Sequence, residues 1–186
     1  RDWQNFLETQ RRLHAKTVFT ATELANVAGV SLHALNVEIG RLVRRGILVR
    51  YVRGQYGLPD AVPLDELVPA LDAHAYVTGA YALCRHNLIT QAPAEIVCFT
   101  DRRHNRSRIR STPLGRLVFV CVAPRIYSPP RDGAFAGPEQ SLYDFIHLCG
   151  RHGLDPRSLV TFRRAVRLKV GEMRHLAKRY PGSVAR

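Results

Sequence analysis

The chain has 186 residues, of which 46% are apolar, so it can bury a core in one medium domain or in two small ones. Its 28 Lys and Arg outnumber 15 Asp and Glu, and the net charge of +13 favours polyanionic partners. No apolar run approaches the roughly 18 residues of a bilayer span, and residues 1–13 carry charges where a signal peptide would be apolar. We therefore expect a cytoplasmic protein with no membrane partner.

The cysteines are widely spaced and form no Cys-x-x-Cys pair, which argues against a zinc site and a disulfide framework. They are Cys84, Cys98, Cys121 and Cys149. We expect reduced thiols buried in the core, and neither a metal nor a cofactor.

An amphipathic helix is predicted at the N-terminus, with Asp2 as a possible cap. Its apolar residues are Trp3, Phe6, Leu7 and Leu13. We expect it to pack on the segment that follows, and it could also mediate dimerisation.

Residues 17–58 have the pattern of a winged helix-turn-helix. Thr20 and Glu23 have the spacing of a capping box, so a short helix should begin at Ala21 and end before Gly29, with Leu24, Val27 and Ala28 on its apolar side. Ser31 offers a second N-cap, and a helix over 32–45 should stop at Gly46. Residues 47–52 and 55–58, joined by Arg53 and Gly54, predict a short hairpin, the wing.

The second helix has one apolar face and one outward face. The predicted buried stripe is Leu32, Leu35, Ile39, Leu42 and Val43, with Asn36 near its edge. The outward face carries His33, Ala34, Val37, Gly40, Arg41 and Arg44. Small residues at the start of a helix and cations at its end suit base edges and phosphates, respectively. Two alternatives stay open. Gly40 could pack against the wing, and the whole module could dock a protein instead of DNA.

We predict a DNA-binding site in this segment. Its candidate residues are Thr20, Ser31, His33, Ala34, Val37, Arg41, Arg44, Arg45, Arg50 and Arg53.

A domain boundary is predicted at 59–63, where two prolines disfavour regular structure. It separates a winged helix-turn-helix domain, residues 1–60, from a basic domain, residues 64–186. In the second domain, helices are expected over 64–73, 78–87, 138–150 and 156–180, and strands over 95–100 and 116–123. The predicted class is α+β, with a small sheet and C-terminal helices in the second domain.

A basic patch is predicted between the two strands of the second domain. Its arginines are Arg102, Arg103, Arg106, Arg108 and Arg110. Such a segment is either a solvated hairpin loop or a contact with nucleic acid or an acidic protein surface. The predicted last helix is also basic and could cover the domain or lie along nucleic acid. Its cations are Arg157, Arg163, Arg164, Arg167, Lys169, Arg174, Lys178 and Arg179.

Catalytic motifs are not evident. The chain has no Gly-rich phosphate loop, no Gly-x-Ser-x-Gly and no His-Glu-x-x-His. Asp144 and His147 could share a helix face, where a surface hydrogen bond explains them better than catalysis does. Cys84 and His86 would point apart on a helix. We therefore expect no enzyme activity.

The order of motifs resembles that of the AbiEi-like antitoxins of bacterial abortive-infection systems. The matching segments are 20–25, 42–48, 53–59, 76–89, 94–100 and the Pro-Glu-x-x-Leu-x-Asp of 138–144, within about residues 17–165. The resemblance implies a repressor of its own toxin-antitoxin operon that binds inverted repeats in double-stranded DNA. It also implies an antitoxin that counteracts a nucleotidyltransferase-like toxin.

The expected assembly is a monomer or weak dimer that pairs on DNA. The alternative functions are a winged-helix interaction module that binds RNA or a protein through its basic second domain, and a transcription factor with a ligand-sensing second domain.

Overall fold

The computed structural model describes residues 2–59, 62–91, 93–104, 108–164 and 168–185. The predicted α+β class is confirmed. The N-terminal part contains α1 (Trp3–His14), β1 (Val18–Thr20), α2 (Ala21–Ala28), α3 (Leu32–Arg44), β2 (Val49–Val52) and β3 (Gln55–Gly57). The remainder contains α4 (Leu64–Leu71), β4 (Tyr76–Val77), α5 (Gly79–Arg85), β5 (Glu95–Thr100), β6 (Ile109–Thr112), β7 (Gly115–Cys121), α6 (Pro138–Arg151), α7 (Pro156–Leu159), α8 (Val170–Ala177) and α9 (Gly182–Ala185).

The predicted caps of the first three helices are present. Asp2 accepts a hydrogen bond from the backbone N–H of Asn5, and Thr20 and Glu23 cap α2 reciprocally. Gly29 ends α2 at a φ of 65°, in the left-handed region. Ser31 accepts from the N–H of Ala34, and α3 ends at Arg44, one residue before the predicted end. Local sequence therefore determines where these helices begin and end.

The strands of the N-terminal part form a three-stranded antiparallel sheet, in the order β1-β3-β2. The two-residue Arg53-Gly54 turn joins β2 to β3 as predicted, with Gly54 at a φ of 80°. Strand β1 was not predicted, because three residues are too short for a period to show. The apolar core beneath this sheet includes Leu24, Leu35 and Ile39 with Trp3 and Leu7 of α1.

Two apolar side chains do not lie where the helical wheel placed them. Leu32 is 47% exposed and Val27 is 40% exposed, whereas Ala25 is buried. A wheel gives the direction of a side chain around the axis but not its position along it. Leu32 opens α3 beyond the core, so it has no apolar partner in the cluster that holds Leu35.

The second sheet has four strands in the order β4-β5-β7-β6. Strands β5 and β7 pair in parallel, while β4 and β6 are antiparallel to their neighbours. The chain therefore leaves β5, passes to the outer edge as β6 and returns as β7. The basic segment is part of this crossover and not the tip of a hairpin between β5 and β7. Strand β6, which begins inside the predicted loop, was missed.

The two parts of the chain share a core. Val18 and Tyr51 of the first sheet pack with α4 and with one face of the second sheet, which includes Ile96 and Phe119. The Thr17 hydroxyl donates a hydrogen bond to Glu66, and Gln55 donates to the carbonyl of Ala70. At the predicted boundary, Val62 is buried in this core, while residues 60 and 61 lie outside the described residues.

The predicted helix over 156–180 is wrong. Helix α7 ends at Leu159, and Thr161 and Phe162 are extended beside residues 89 and 90, with an isolated bridge between Ile89 and Phe162. The apolar residues of 156–180 have helical spacing, but this pairing holds residues 161 and 162 in extended backbone. Helix α8 then begins at Val170 and includes Gly171 as its second residue. Arg167 lies outside the described residues. Across the ranges described, no helix is both long and apolar enough to cross a bilayer.

A buried carboxyl connects the C-terminal segment to the core. Asp144 of α6 accepts hydrogen bonds from the hydroxyls of Thr78 at 2.7 Å and Tyr180 at 2.6 Å. Burial raises the pKa of Asp144 to about 7, although both hydroxyls oppose the rise. Asp144 is therefore a core residue and does not form the surface hydrogen bond predicted for it with His147.

Replacing Asp144 by Asn should change how stability depends on pH. An unfolded Asp has a pKa near 3.9, so the folded state holds this proton more tightly. The group therefore stabilises the fold fully below about pH 4, and this contribution falls by about 1.4 kcal/mol per pH unit as the pH rises to about 7. Asp144→Asn stays neutral, so urea unfolding should show its stability relative to wild type rising across this window. The exposed Asp132→Asn is the control, and parallel pH curves for Asp144→Asn and wild type would contradict the expectation.

Candidate nucleic-acid interface

The outward face of α3 is free of the core. His33, Ala34, Val37, Gly40, Arg41 and Arg44 are all exposed. They are held outward because Leu35, Ile39 and Leu42 are buried on the opposite side. A Cβ built on Gly40 would meet no atom within 4 Å, so packing against the hairpin does not explain this glycine. The surface is thus small near its N-terminal end and cationic near its C-terminal end.

The cations of this face extend beyond α3. Arg41 lies 3.9 Å from Glu38 in an exposed ion pair, which holds it only weakly. Arg45 borders a cleft of about 760 Å³ that α1 also lines with Arg11 and Arg12. These two arginines were missed as site residues, although they stand at the basic end of a predicted helix.

Thr20 and Ser31 differ from the other candidates. The hydroxyl of Thr20 bonds both the backbone N–H and the carboxylate of Glu23, and that of Ser31 accepts from Ala34. These hydroxyls are occupied by caps, so any contact with a ligand would compete with a helix start. Arg50 and Arg53 of the hairpin are exposed.

The basic patch of the second part is not uniformly solvated. Arg103 and Arg108 are exposed, and Arg106 lies outside the described residues. The guanidinium of Arg110, by contrast, lies 4.8 Å from the centre of the Phe119 ring and donates to His104 Nδ1. Arg102 donates to Nε2 of His74 at 2.6 Å. The patch therefore combines arginines fixed by the fold with arginines that face outward.

Asp72 organises this region. Its side chain is 2% exposed and accepts hydrogen bonds from His104 Nε2 and Thr100 Oγ1, each at 2.7 Å, and from the backbone N–H of His74 at 2.9 Å. Burial raises the pKa of Asp72, but these hydrogen bonds outweigh it and hold the pKa below its ordinary value. The carboxylate is thus kept charged inside the protein by three donors.

Two imidazoles each bridge an arginine and an aspartate, and we call each of these arginine–histidine–aspartate chains a relay. His104 donates from Nε2 to Asp72 and accepts from Arg110 at Nδ1. His74 donates from Nδ1 to Asp101 at 2.9 Å and accepts from Arg102 at Nε2. In each case the carboxylate determines which ring nitrogen donates, and the guanidinium determines which one accepts. Asp72, His74 and His104 were not predicted as functional residues.

A basic cavity lies beside these relays. It has a volume of about 400 Å³ and is lined by cationic, imidazole and apolar side chains. The cationic and imidazole side chains are Arg103, His104, Arg108, Arg151 and His152. Of these residues, only Arg103 and Arg108 of the basic patch were predicted from the sequence. Arg151 and His152 come from the end of α6, distant in sequence, and no local pattern connects them to the patch.

The two candidate pairs, Asp144 with His147 and Cys84 with His86, do not form catalytic contacts. Asp144 is bonded to Thr78 and Tyr180, and His86 Nε2 lies 2.8 Å from the carbonyl oxygen of Ala136. All four cysteines are free, with Cys98 and Cys149 buried and the other two half-buried. No family model and no curated protein matches the chain.

Replacing Asp72 by Asn should destabilise the protein at neutral pH by about 1.5–3 kcal/mol, because a charged acceptor of several hydrogen bonds is lost. The pKa of Asp72 is lowered on folding, so this stabilisation is present above about pH 4 and disappears as the pH falls through the folded pKa. The deficit measured by urea unfolding should therefore shrink in acid.

Asp101→Asn is the matched control, because Asp101 also pairs with an imidazole but its side chain is 37% exposed. It should cost less than about 1 kcal/mol. Equal losses for the two variants would show that the burial of Asp72 has no special role.

Proposed function

We propose that the chain is a sequence-specific DNA-binding repressor built on a winged helix-turn-helix. The observation that carries the proposal is the outward face of α3, which projects small and cationic side chains clear of the core. The element order from α1 to β3, with the sheet order β1-β3-β2, is compatible with such a module. Under this proposal α3 is the recognition helix and the β2–β3 hairpin is the wing.

The proposed mechanism is occlusion of a promoter. Two copies, monomeric or weakly dimeric in solution, place their α3 helices in successive major grooves of an inverted repeat. Ala34 and Val37 would face base edges, where thymine methyl groups offer apolar contact. Arg41 and Arg44 would meet phosphate or guanine, and Arg50 and Arg53 of the wing would reach the flanking groove.

The antitoxin role is proposed from the resemblance to AbiEi-like antitoxins. Under it, the repressed operon would be the protein's own, and residues 64–186 would counteract a nucleotidyltransferase-like toxin. We propose no catalytic activity for the chain. The exposed arginines of the basic patch, Arg103 and Arg108, would serve nucleic-acid or toxin binding.

A protein-docking module is the second candidate, and one observation favours it. Val27, Val30, Leu32 and Val37 are all between 40% and 54% exposed at the α2–α3 end. Exposed apolar side chains of this kind are typical of protein interfaces. The same residues would also suit base contacts, so DNA binding has to be measured.

Arg41→Ala combined with Arg44→Ala should weaken binding to the protein's own upstream DNA by about 100-fold, since each lost contact costs on the order of 1–3 kcal/mol. Fluorescence anisotropy against upstream and scrambled DNA at two salt concentrations measures the loss. Arg174→Ala with Lys178→Ala removes two exposed cations from α8 and its end, and it should leave the specific affinity nearly unchanged. Equal affinity of the wild type for both DNAs would contradict the repressor proposal and favour the docking module.

Gly40→Ala should separate stability from DNA affinity. Alanine in a helix interior is favoured over glycine by about 1 kcal/mol, and no atom obstructs the new methyl group, so the variant should unfold at higher urea concentration. If α3 enters the groove, the methyl group should weaken specific binding by about tenfold, equivalent to about 1.4 kcal/mol. Gly171→Ala in α8 is the control for affinity. Unchanged affinity of Gly40→Ala would exclude a close approach at Gly40.

A further inference from the structure

The basic cavity lies where two strands part. Strand β6 pairs with β7 only from Gly115 to Val118, and the backbone N–H of Phe119 then donates to the carbonyl of Arg108. Past this point β7 continues through Val120 and Cys121, which border the cavity together with the end of α6. The cavity is therefore framed by a sheet edge, a helix end and the described part of the basic patch.

Three arginines contribute to its lining. Arg103, Arg108 and Arg151 line the cavity, and none of them takes part in an ion pair within the part of the chain that the structure describes. The buried carboxylate of Asp72, which bonds the lining residue His104, already accepts three hydrogen bonds. Like charges brought together without a counter-charge create a strong positive field, which an anion relieves.

The rest of the lining is apolar. Val118, Val120 and Leu148 contribute aliphatic side chains to the same cavity. An inorganic ion would leave this wall uncovered, and a purely apolar ligand would leave the arginines without a counter-charge. The lining therefore fits a ligand that joins a phosphate group to a flat or apolar body.

We propose that this cavity binds a nucleoside monophosphate, either free or as the 5′-phosphorylated end of a single strand. Arg103, Arg108 and Arg151 would hold the phosphate, because planar guanidinium groups match its oxygens bidentately. Val118, Val120 and Leu148 would contact the base. A volume of about 400 Å³ falls within the range of small-ligand sites, and a duplex cannot bring its base pairs into such a hollow.

The relays beside the cavity support this role. His104 lines it while its Nε2 is held by Asp72 and its Nδ1 receives Arg110. Two arginines of the basic patch, Arg102 and Arg110, are thereby held in place before any ligand binds, which reduces the entropy lost on binding. The proposal does not depend on DNA recognition by α3, since the two surfaces share no residue.

Calorimetric titration of the full chain tests the proposal with five probes. They are AMP, adenosine, inorganic phosphate and a short oligothymidine strand with and without a 5′-phosphate. AMP should bind saturably with a dissociation constant on the order of 100 µM or tighter, and adenosine and phosphate should each bind at least about tenfold more weakly. If the 5′-phosphorylated strand binds tighter than AMP, and its 5′-hydroxyl form does not, the strand end is the ligand. If AMP binds saturably and the 5′-phosphorylated strand binds no tighter than AMP, the free nucleotide is the ligand.

Variants locate the site. Arg103→Ala with Arg151→Ala should weaken AMP binding by at least about tenfold, equivalent to about 1.4 kcal/mol. The same positions changed to Lys should bind with intermediate affinity, because charge remains while the bidentate geometry is lost. Arg174→Ala with Lys178→Ala removes the same charge elsewhere and should bind as the wild type does. Thermal melting confirms that each variant is folded.

Several results would overturn the proposal. They are no saturable binding of AMP or of the phosphorylated strand, equal affinity for AMP and inorganic phosphate, and equal losses in the cavity and control variants. An affinity for AMP that Arg41→Ala with Arg44→Ala lowers as much as the cavity variant does would show non-specific attraction to charge. Loss of DNA binding in that α3 variant with AMP binding intact would leave the cavity proposal standing by itself.

Discussion

The buried carboxylate of Asp72 is the constraint on which the basic region depends. A charge that is almost fully removed from water must be compensated. Three donors do this, and they come from the end of β5, from the segment after β5 and from the turn that follows Asp72 itself. Their convergence fixes His104, which in turn receives Arg110 and packs against Phe119. The arginine-rich segment is thus anchored at its base, and Arg103 and Arg108 remain at the surface because the anchoring contacts belong to their neighbours.

A second constraint is the close approach of the first sheet to α4 and the second sheet. A Cβ on Gly57 would overlap the backbone oxygen of Thr17 and a methyl group of Val62. Glycine is therefore required in the middle strand of the first sheet, not for its φ but for space. This contact lets Val18 and Tyr51 enter the core of the second sheet, so the residues that a boundary at 59–63 would divide are packed together.

The parts of the fold that could be predicted are those with local signals. The capping box at Thr20 and Glu23, the cap at Ser31 and the Arg53-Gly54 turn each act within about four residues, and all three are present in the structure. Strand β6 and the end of α7 depend on partners distant in sequence, so their own composition pointed to a loop and to a longer helix. The candidate site residues divide in the same way, into those with a local sequence signal and those brought together by distant contacts. The outward face of α3 was visible as a helical period, but Asp72 and His104 lie 32 residues apart and their pairing is a product of the crossover.

Net charge alone does not decide what this protein binds, because a long-range field attracts every polyanion. Shape must make the distinction. The α3 surface is convex and carries its cations at one end, which suits a duplex groove flanked by phosphates. The second surface is a hollow in which cations face an aliphatic wall, which suits a phosphate joined to a base. Because both surfaces present arginines with little or no compensation, both should bind more weakly as salt rises, and only the loss of one ligand without the other can show that they are separate sites.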